Sequence, residues 1–526
     1  MHETNCMYSD SYEKAHRVMT STVRDLMVLA LTGIPVLAAV GLLILPRRAG
    51  ALSTVALWFA VGSFAFGTIV GATGTVVQIA VFSFALRFTS FALLWSLTVL
   101  LVGGIVMTFA ERYLKGNPAL PVVRAAGSGV VLSIVMVVAA VNLLTLMVAW
   151  WLVGLGYLVA FCYRGRSASV RRLVKAFALG DLLVTSAFVL LLIRTGDEPI
   201  VALDRHPHLG SWELPIAVLL AVGMLVRSAQ GPFLGWLQVT VDAPTPVSAL
   251  LHAGVINGGM IVIIRLAPIV LGSAAAVWLL VSVGGLTAVF AIVSARLRGD
   301  YKGRLVLSTS AQMGFVLVEI AVGAFALALV HLCLHAAYKA WLFLSSSSQI
   351  ATVLPPSSKE LSIPWRRRLV AVVSVTIVAV LGALAMLVLE GRPTSMVTLV
   401  LGCFAFATAS TYLWRVRRVR ANCYRLVQTY VGVVLAFGAV GLLVHLVTNY
   451  TSGSLLTVGV LSLPPWWLLV VGAGVLLLNT VVRWPRVRRY FASLVDGTSL
   501  AQGFRGRASM PVEPISIESD ALKLAS

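Results

Sequence analysis

Charge is scarce in this chain. Only 11% of its 526 residues are Asp, Glu, Lys or Arg, against 59% hydrophobic. No polar stretch is long enough for a sizeable water-soluble domain, so any chemistry sits in a membrane or in a partner. Cysteine is also sparse. The five cysteines, Cys6, Cys162, Cys333, Cys403 and Cys423, lie far apart and form no CxxC pair. That excludes a disulfide framework and a cysteine metal cluster. Carboxylates are scarcer than bases, 19 against 40, for a net charge of +21. The excess is no sign of nucleic-acid binding, because the positive residues gather in short loops between apolar runs, as the positive-inside rule requires.

Long apolar runs dominate what is present. Mean hydropathy is +0.96, and runs of about 20 apolar residues, enough to cross a bilayer core, recur almost from end to end. The sequence predicts an all-α polytopic membrane protein with about 14–15 spans, centred at 24–45, 51–71, 90–110, 122–141, 143–163, 173–193, 213–238, 246–268, 273–294, 303–323, 325–346, 368–389, 395–414, 424–446 and 464–483. The stretches 122–163 and 303–346 are each read as two helices, turning at Asn142 and Gly323. Residues 1–22 read as a retained polar tail. Residues 23–121 read as N-terminal helices, 122–415 as a core of two inverted repeats, 416–484 as C-terminal helices and 485–526 as a cytoplasmic tail.

Loop charge tests the count. Arg47 and Arg48; Arg112, Lys115 and Arg124; Arg164 to Lys175; Arg296 to Arg304; Lys359 to Arg368; Arg415 to Arg420; and Arg483 to Arg489 all follow odd-numbered spans. The loop with Asp197, Glu198, Asp204 and Glu213 lies on the other side. The alternation puts the N-terminus outside and the C-terminus in the cytoplasm.

The stretch from Arg227 to His252, RSAQGPFLGWLQVTVDAPTPVSALLH, sets ionisable residues and a helix break inside an apolar region. A charge at mid-membrane costs about 2.5–3.5 kcal/mol on insertion scales, which makes it a functional candidate. Pro244 and Pro246 remove backbone donors. Broken backbone survives at membrane depth only where protein covers it or water reaches it. Asp242 sits in the break, where an aspartate also fits as a helix cap.

Farther along, HLCLHAAYKAWLF places His331, His335 and Lys339 at i, i+4 and i+8, on one helix face. Imidazoles titrate near neutrality and pass protons through water. Structural polar contacts and a zinc site are the alternative readings. His252 would link Arg227 to this face. Arg227 holds its proton and serves as a fixed charge. Asp181 and Glu319 are its candidate counter-charges, Asp181 the better placed. Glu390 is either an exit group or a loop residue.

The segments Ser228–Gln230, Pro232, Trp236–Leu237, Ala243–Ala253, Ser308–Gly314 and His331–Leu344 resemble the antiporter-like membrane subunits of respiratory complex I and of Mrp cation/proton antiporters. The resemblance covers roughly residues 90–350. Within that superfamily, Leu250–Ala267, Glu111–Pro118 and the segment from Ala149 more closely resemble the DabB-type membrane subunits of inorganic carbon transporters. The resemblance implies that His252 and Lys339 belong to a proton path. Arg227 stands where lysine is usual, and Trp151 where the family carries a glutamate. It further implies an ion-conducting subunit of the bacterial inner membrane, without a cofactor of its own. Such a subunit passes H⁺ or Na⁺ to drive a DabA-like zinc-binding partner. The alternatives are a proton-translocating subunit of an NADH:quinone oxidoreductase and an Mrp-type antiporter component.

Overall fold

A computed structural model describes residues 49–346, apart from 72–76, 82–83, 163–167, 206–208 and 299, together with 423–452 and 454. The chain is a multi-pass helical membrane protein. In chain order the helices are α1 (Ala49–Gly71), α2 (Ser90–Tyr113), α3 (Leu120–Ala139), α4 (Leu143–Cys162), α5 (Ala168–Thr195), α6 (Glu213–Arg227), α7 (Thr245–Arg265), α8 (Ala274–Leu297), α9 (Tyr301–Ala321), α10 (Phe325–Leu344) and α11 (Cys423–Thr451). Among the described residues, nine helical segments, corresponding to α2 through α10, are long and apolar enough to cross a bilayer. The expected spans near 24–45, 368–389, 395–414 and 464–483 lie outside the described residues, as does Glu390. The second half of the expected inverted repeat is therefore only partly described.

The connections follow local chemistry. Asn142 separates α3 from α4; its amide donates to Asp197, and its carbonyl oxygen accepts from the Thr145 backbone. Gly323 separates α9 from α10 with φ +77, a left-handed value that glycine adopts without strain. One element departs from the all-helical expectation. Val77–Val81 (β1) pairs antiparallel with Phe84–Phe88 (β2), in register Val77 to Phe88. The hairpin continues into the α3–α4 turn through Val141 N donating to Ala85 O.

The polar contacts sort the helix ends onto two faces. On one face Glu111 of α2 accepts from Thr54 of α1 and pairs with Arg124 of α3 at 2.7 Å. Tyr113 meets Thr245 at the start of α7 on the same face. On the other face Arg265, at the end of α7, donates to the carbonyls of Val138 and Ala140 at the end of α3. α8 and α9 pack most closely at glycine. A Cβ on Gly314 would strike the Gly284 carbonyl and would lie 3.1 Å from Ala288 Cβ, which lets the two backbones approach as small residues do in membranes.

Three crossings, α3 to α5, separate exposed Lys115 from exposed Ser211. Lys115→Cys and Ser211→Cys are expected to react with an impermeant thiol reagent from opposite faces of sealed vesicles. Labelling from the same face would refute this topology.

Candidate functional site

The sequence expectation carried the seventh span to residue 238. Instead α6 stops at Arg227, 15 residues from its start at Glu213, about 22 Å along the helix. The motif that follows explains the stop. Ser228 donates through backbone and hydroxyl to the Met224 carbonyl. Gln230 N donates to Leu225 O, and Trp236 Nε1 donates to Val226 O at 2.8 Å. The last carbonyls of the helix, which have no partner within it, are thus satisfied by side chains and backbone of the break. Ala229 takes a positive φ of 53, and the Gly231–Pro232 bond is cis. Gln230 also donates to Ser310 O of α9, and Gly231 N to Thr287 Oγ1 of α8. The break is therefore wider than the Pro-Thr-Pro signal, running from Ser228 to Pro244.

The two prolines begin a helix and do not interrupt one. Pro244 is the N-cap of α7, and Pro246 lies in its first turn, where a missing N–H costs nothing. Asp242 closes the short turn Val239–Asp242 and is not the cap. α7 is then disturbed at Leu251–Val255, a π-helical turn that carries His252. Asn257 donates to Ala253 O beside it. Single π-turns of this kind are frequent at functional sites.

Two charged clusters flank α7. The first surrounds Arg227, whose side chain is 2% exposed. Its guanidinium carbon lies 3.7 Å from the Phe177 ring centre and 4.8 Å from that of Trp150, within cation–π range. The position at a helix C-terminus adds the favourable end of the helix dipole. Asp181 of α5 is the counter-charge, with Oδ1 3.5 Å from Arg227 Nε. Trp150 Nε1 donates to the same oxygen at 2.8 Å. Trp151 points elsewhere, is 44% exposed and donates to Thr185.

The second cluster joins α7, α9 and α10. Lys339 is buried, and its Nζ donates to Leu305 O at 2.9 Å and to Ser308 Oγ. Glu319, the other candidate counter-charge for Arg227, pairs instead with His331, Oε1 to Nδ1 at 2.9 Å. The rings of His331 and His335 are 6.5 Å apart. His252 stacks on Phe343 of α10 at 4.5 Å and interacts electrostatically with Lys339 and His335. His252 and His335 are buried, and among the described residues neither ring has a hydrogen-bond partner on either nitrogen. Each buried polar atom left unpaired costs about 1–3 kcal/mol, so these rings suit a hydrated path.

The structure thus gathers His252, His331, His335 and Lys339 in one place and sets Arg227 with Asp181 in another. No hydrogen bond joins Arg227 to His252. The clusters approach through Trp150, whose ring lies 3.8 Å from the position of a Cβ on Gly259, two turns beyond His252 on α7. Sequence reasoning missed the roles of Trp150, Phe177 and Ser308. Phe177 lies four residues before Asp181, on the same helix face, and that spacing could have revealed it. Nothing in the sequence pairs Trp150 with Asp181, 31 positions away.

The family model described as NADH:quinone oxidoreductase/Mrp antiporter, TM, matches residues 140–405, just over half of the chain. The chain is 34% identical over 244 residues to DabB1 of Halothiobacillus neapolitanus, described as a probable inorganic carbon transporter subunit; the match covers 44% of each protein. It is 39% identical over 202 residues to a probable DabB of Hydrogenovibrio crunogenus, covering 37% of this chain and 39% of that one. It is 32% identical over 267 residues to a Na⁺/H⁺ antiporter subunit of Alkalihalophilus pseudofirmus, covering 47% of this chain and 32% of that one. The aligned part spans less than half the length of each of these relatives. The fold is similar to a chain of the Mrp complex of Dietzia sp. DQ12-45-1b, with TM-score 0.61 and 22% identity, over 95% of this chain and 62% of that one.

Proposed function

The chain belongs to the NADH:quinone oxidoreductase/Mrp antiporter transmembrane family, and from that premise we propose that it is the ion-conducting membrane subunit of an energy-coupled inorganic carbon transporter. One observation carries the conducting role. Two buried imidazoles with unpartnered nitrogens and a buried lysine meet at a π-turn inside the bilayer-spanning bundle. Titratable groups at that depth mark ion or proton routes. Histidine exchanges protons near neutrality, and a lysine ammonium held by Leu305 O and Ser308 Oγ can pass one on when a neighbour accepts it. The route runs through His331, His335, Lys339 and His252, with Arg227 and Asp181 beside it.

The carbon side of the reading rests on the relatives described as inorganic carbon transporter subunits. In this reading H⁺ or Na⁺ moves inward through the chain. A zinc-binding, DabA-like partner hydrates CO₂, and coupling traps bicarbonate in the cell. The chain sits in a bacterial inner membrane with its N-terminus outside and its C-terminus in the cytoplasm, as the loop charges favour. Membership of a cation/proton antiporter is the second reading, favoured by the relative described as part of a Na⁺/H⁺ antiporter.

Purification of the full chain from its native membrane, with mass spectrometry of what accompanies it, separates the two. The carbon reading expects a zinc-binding partner protein, and expects the pair to restore growth in air to a strain lacking carbonic anhydrase. The chain alone should give no rescue. Rescue by the chain alone, or recovery with a set of antiporter subunits, would overturn it.

A further inference from the structure

We propose that Asn257 is a positioning residue for the His252 step, and that together with the bare backbone of Gly258 it seats a water molecule against the His252 ring within α7. The inference rests on the ion-conducting reading above and gives that route a member that is neither acid nor base.

The π-turn brings the two side chains to one face. His252 and Asn257 are five residues apart, a spacing that sets side chains about 140° apart on a regular α-helix. The turn Leu251–Val255 closes with Ile256 N donating to Leu251 O, one residue more than an α-helical turn. Across it His252 and Asn257 take the relation of residues i and i+4, on one face with Cβ atoms roughly 5–6 Å apart. A single bridging water spans that kind of separation. Both side chains have polar atoms to offer it. Asn257 is buried, and its Nδ2 donates to Ala253 O at 3.0 Å. That bond fixes the amide, because the reverse orientation would set two oxygens against each other. Oδ1 is the atom left over, and among the described residues it has no hydrogen-bond partner; neither has either nitrogen of His252. Buried polar atoms are rarely left unpaired, and here three lie within one turn of helix.

The room is at the next residue. Gly254, Asn257 and Gly258 stand at i, i+3 and i+4, so they are neighbours on the helix surface, and only Asn257 carries a side chain. A Cβ on Gly254 would lie 3.0 Å from Ile134 Cδ1, and one on Gly259 3.4 Å from Met224 Sδ. A Cβ on Gly258 would meet nothing within 4 Å beyond its own helix backbone. Such openness is ordinary at an exposed glycine, but every residue from Thr245 to Ile264 is buried. The space is therefore internal, of at least methyl size and beside unpartnered polar atoms, which are the conditions that hold a buried water. In the exchange this water takes H⁺ from the His252 imidazolium. One N–H bond breaks and one O–H bond forms, and an O–H bond of the same water breaks as the proton passes to a further water of the path. Asn257 neither gains nor loses a proton; it sets the place of the water.

The test uses the complex purified from its native membrane and reconstituted in proteoliposomes, with proton flux per assembled complex read under an imposed pH gradient. Asn257→Leu, close in volume, is expected to lower flux on the order of 100-fold, the scale of a positioned group displaced by about 1 Å. Asn257→Ser should recover most of that loss, because a helical serine donates to the carbonyl four residues back and its oxygen still accepts from water. Gly258→Ala should lower flux, and Gly258→Leu should lower it further, as the side chain takes the room of the water. The amount of protein should not fall in Gly258→Ala, since alanine favours a helix over glycine and its methyl meets no neighbour. A glycine kept for packing alone would show full flux there. Infrared difference spectra between acid and neutral pH should contain an internal-water O–H band that shifts in heavy-oxygen water, present in the parent and lost in Gly258→Leu. Full flux in Asn257→Leu or in Gly258→Ala, or an Asn257→Ser as poor as Asn257→Leu, would overturn the inference. Lys339→Ala, measured alongside, separates the two claims: if it alone abolishes flux, only this inference fails, and if it too leaves flux intact, the conducting reading fails.

Discussion

Replacement of Lys339 by alanine is expected to reduce ion flux by two orders of magnitude or more, the upper range for loss of a positioned proton-transfer group being about 10⁴-fold. The amount of protein in the membrane should change little. Lys339 is buried, so its removal takes a charge out of the bilayer interior and lowers a desolvation cost. It leaves Ser308, whose hydroxyl also donates to Leu305 O at 2.9 Å and so keeps a partner. Lys339→Arg should be nearly as inactive. A guanidinium fits neither the compact seat formed by Leu305 O and Ser308 Oγ nor the task of releasing a proton. A purely structural lysine gives the opposite order, with arginine mild and alanine unstable. Flux per assembled complex decides between them, and wild-type flux in Lys339→Arg would end the relay role of this residue.

Much of the fold was legible because bilayer crossing imposes length and apolarity on each segment. Ser90–Tyr113 through Phe325–Leu344 fall where hydropathy puts them, and Asn142 and Gly323 mark the turns. The early stop of α6 was only partly legible. Residues 228–238 were read into the span although Gln230, Gly231–Pro232, Gly235 and Gln238 interrupt the apolar run; what fixes the stop at Arg227 is Ser228, Gln230 and Trp236 reaching back to carbonyls, a tertiary arrangement that hydropathy does not register. The β1–β2 hairpin was missed for a related reason. Its apolar strands are five residues each, too short for a span and without a polar alternation to mark them.

In the site, the i, i+4, i+8 spacing of His331, His335 and Lys339 sufficed to place them together, because one helix carries all three. Pairings between helices were less accessible. Asp181 with Arg227 could be guessed from the scarcity of intramembrane carboxylates, and the two do pair. The same scarcity offered Glu319 as the alternative, and it proved to belong to His331. Sequence separation carries no information about which of two buried acids faces a given base; helix packing decides it.

That second pairing yields the largest effect expected on assembly. Glu319 and His331 are 3% and 11% exposed in their side chains and meet at 2.9 Å. Removal of one partner of a buried pair costs about 3–5 kcal/mol, because the other stays desolvated and unpaired. His331→Leu is therefore expected to deplete the protein from the membrane. Glu319→Met combined with His331→Leu removes both members, and replacement of a buried pair by apolar groups of similar volume is often neutral. The double variant should recover much of the lost protein. It should not recover flux, since the proposed relay toward His335, 6.5 Å away between ring centres, would lose its imidazole. Quantitative blotting of membranes reads the first effect, and flux per assembled complex reads the second. Recovery of both would make the pair a structural staple and shorten the route to His335, Lys339 and His252. Recovery of neither would show that His331 is held by more than Glu319.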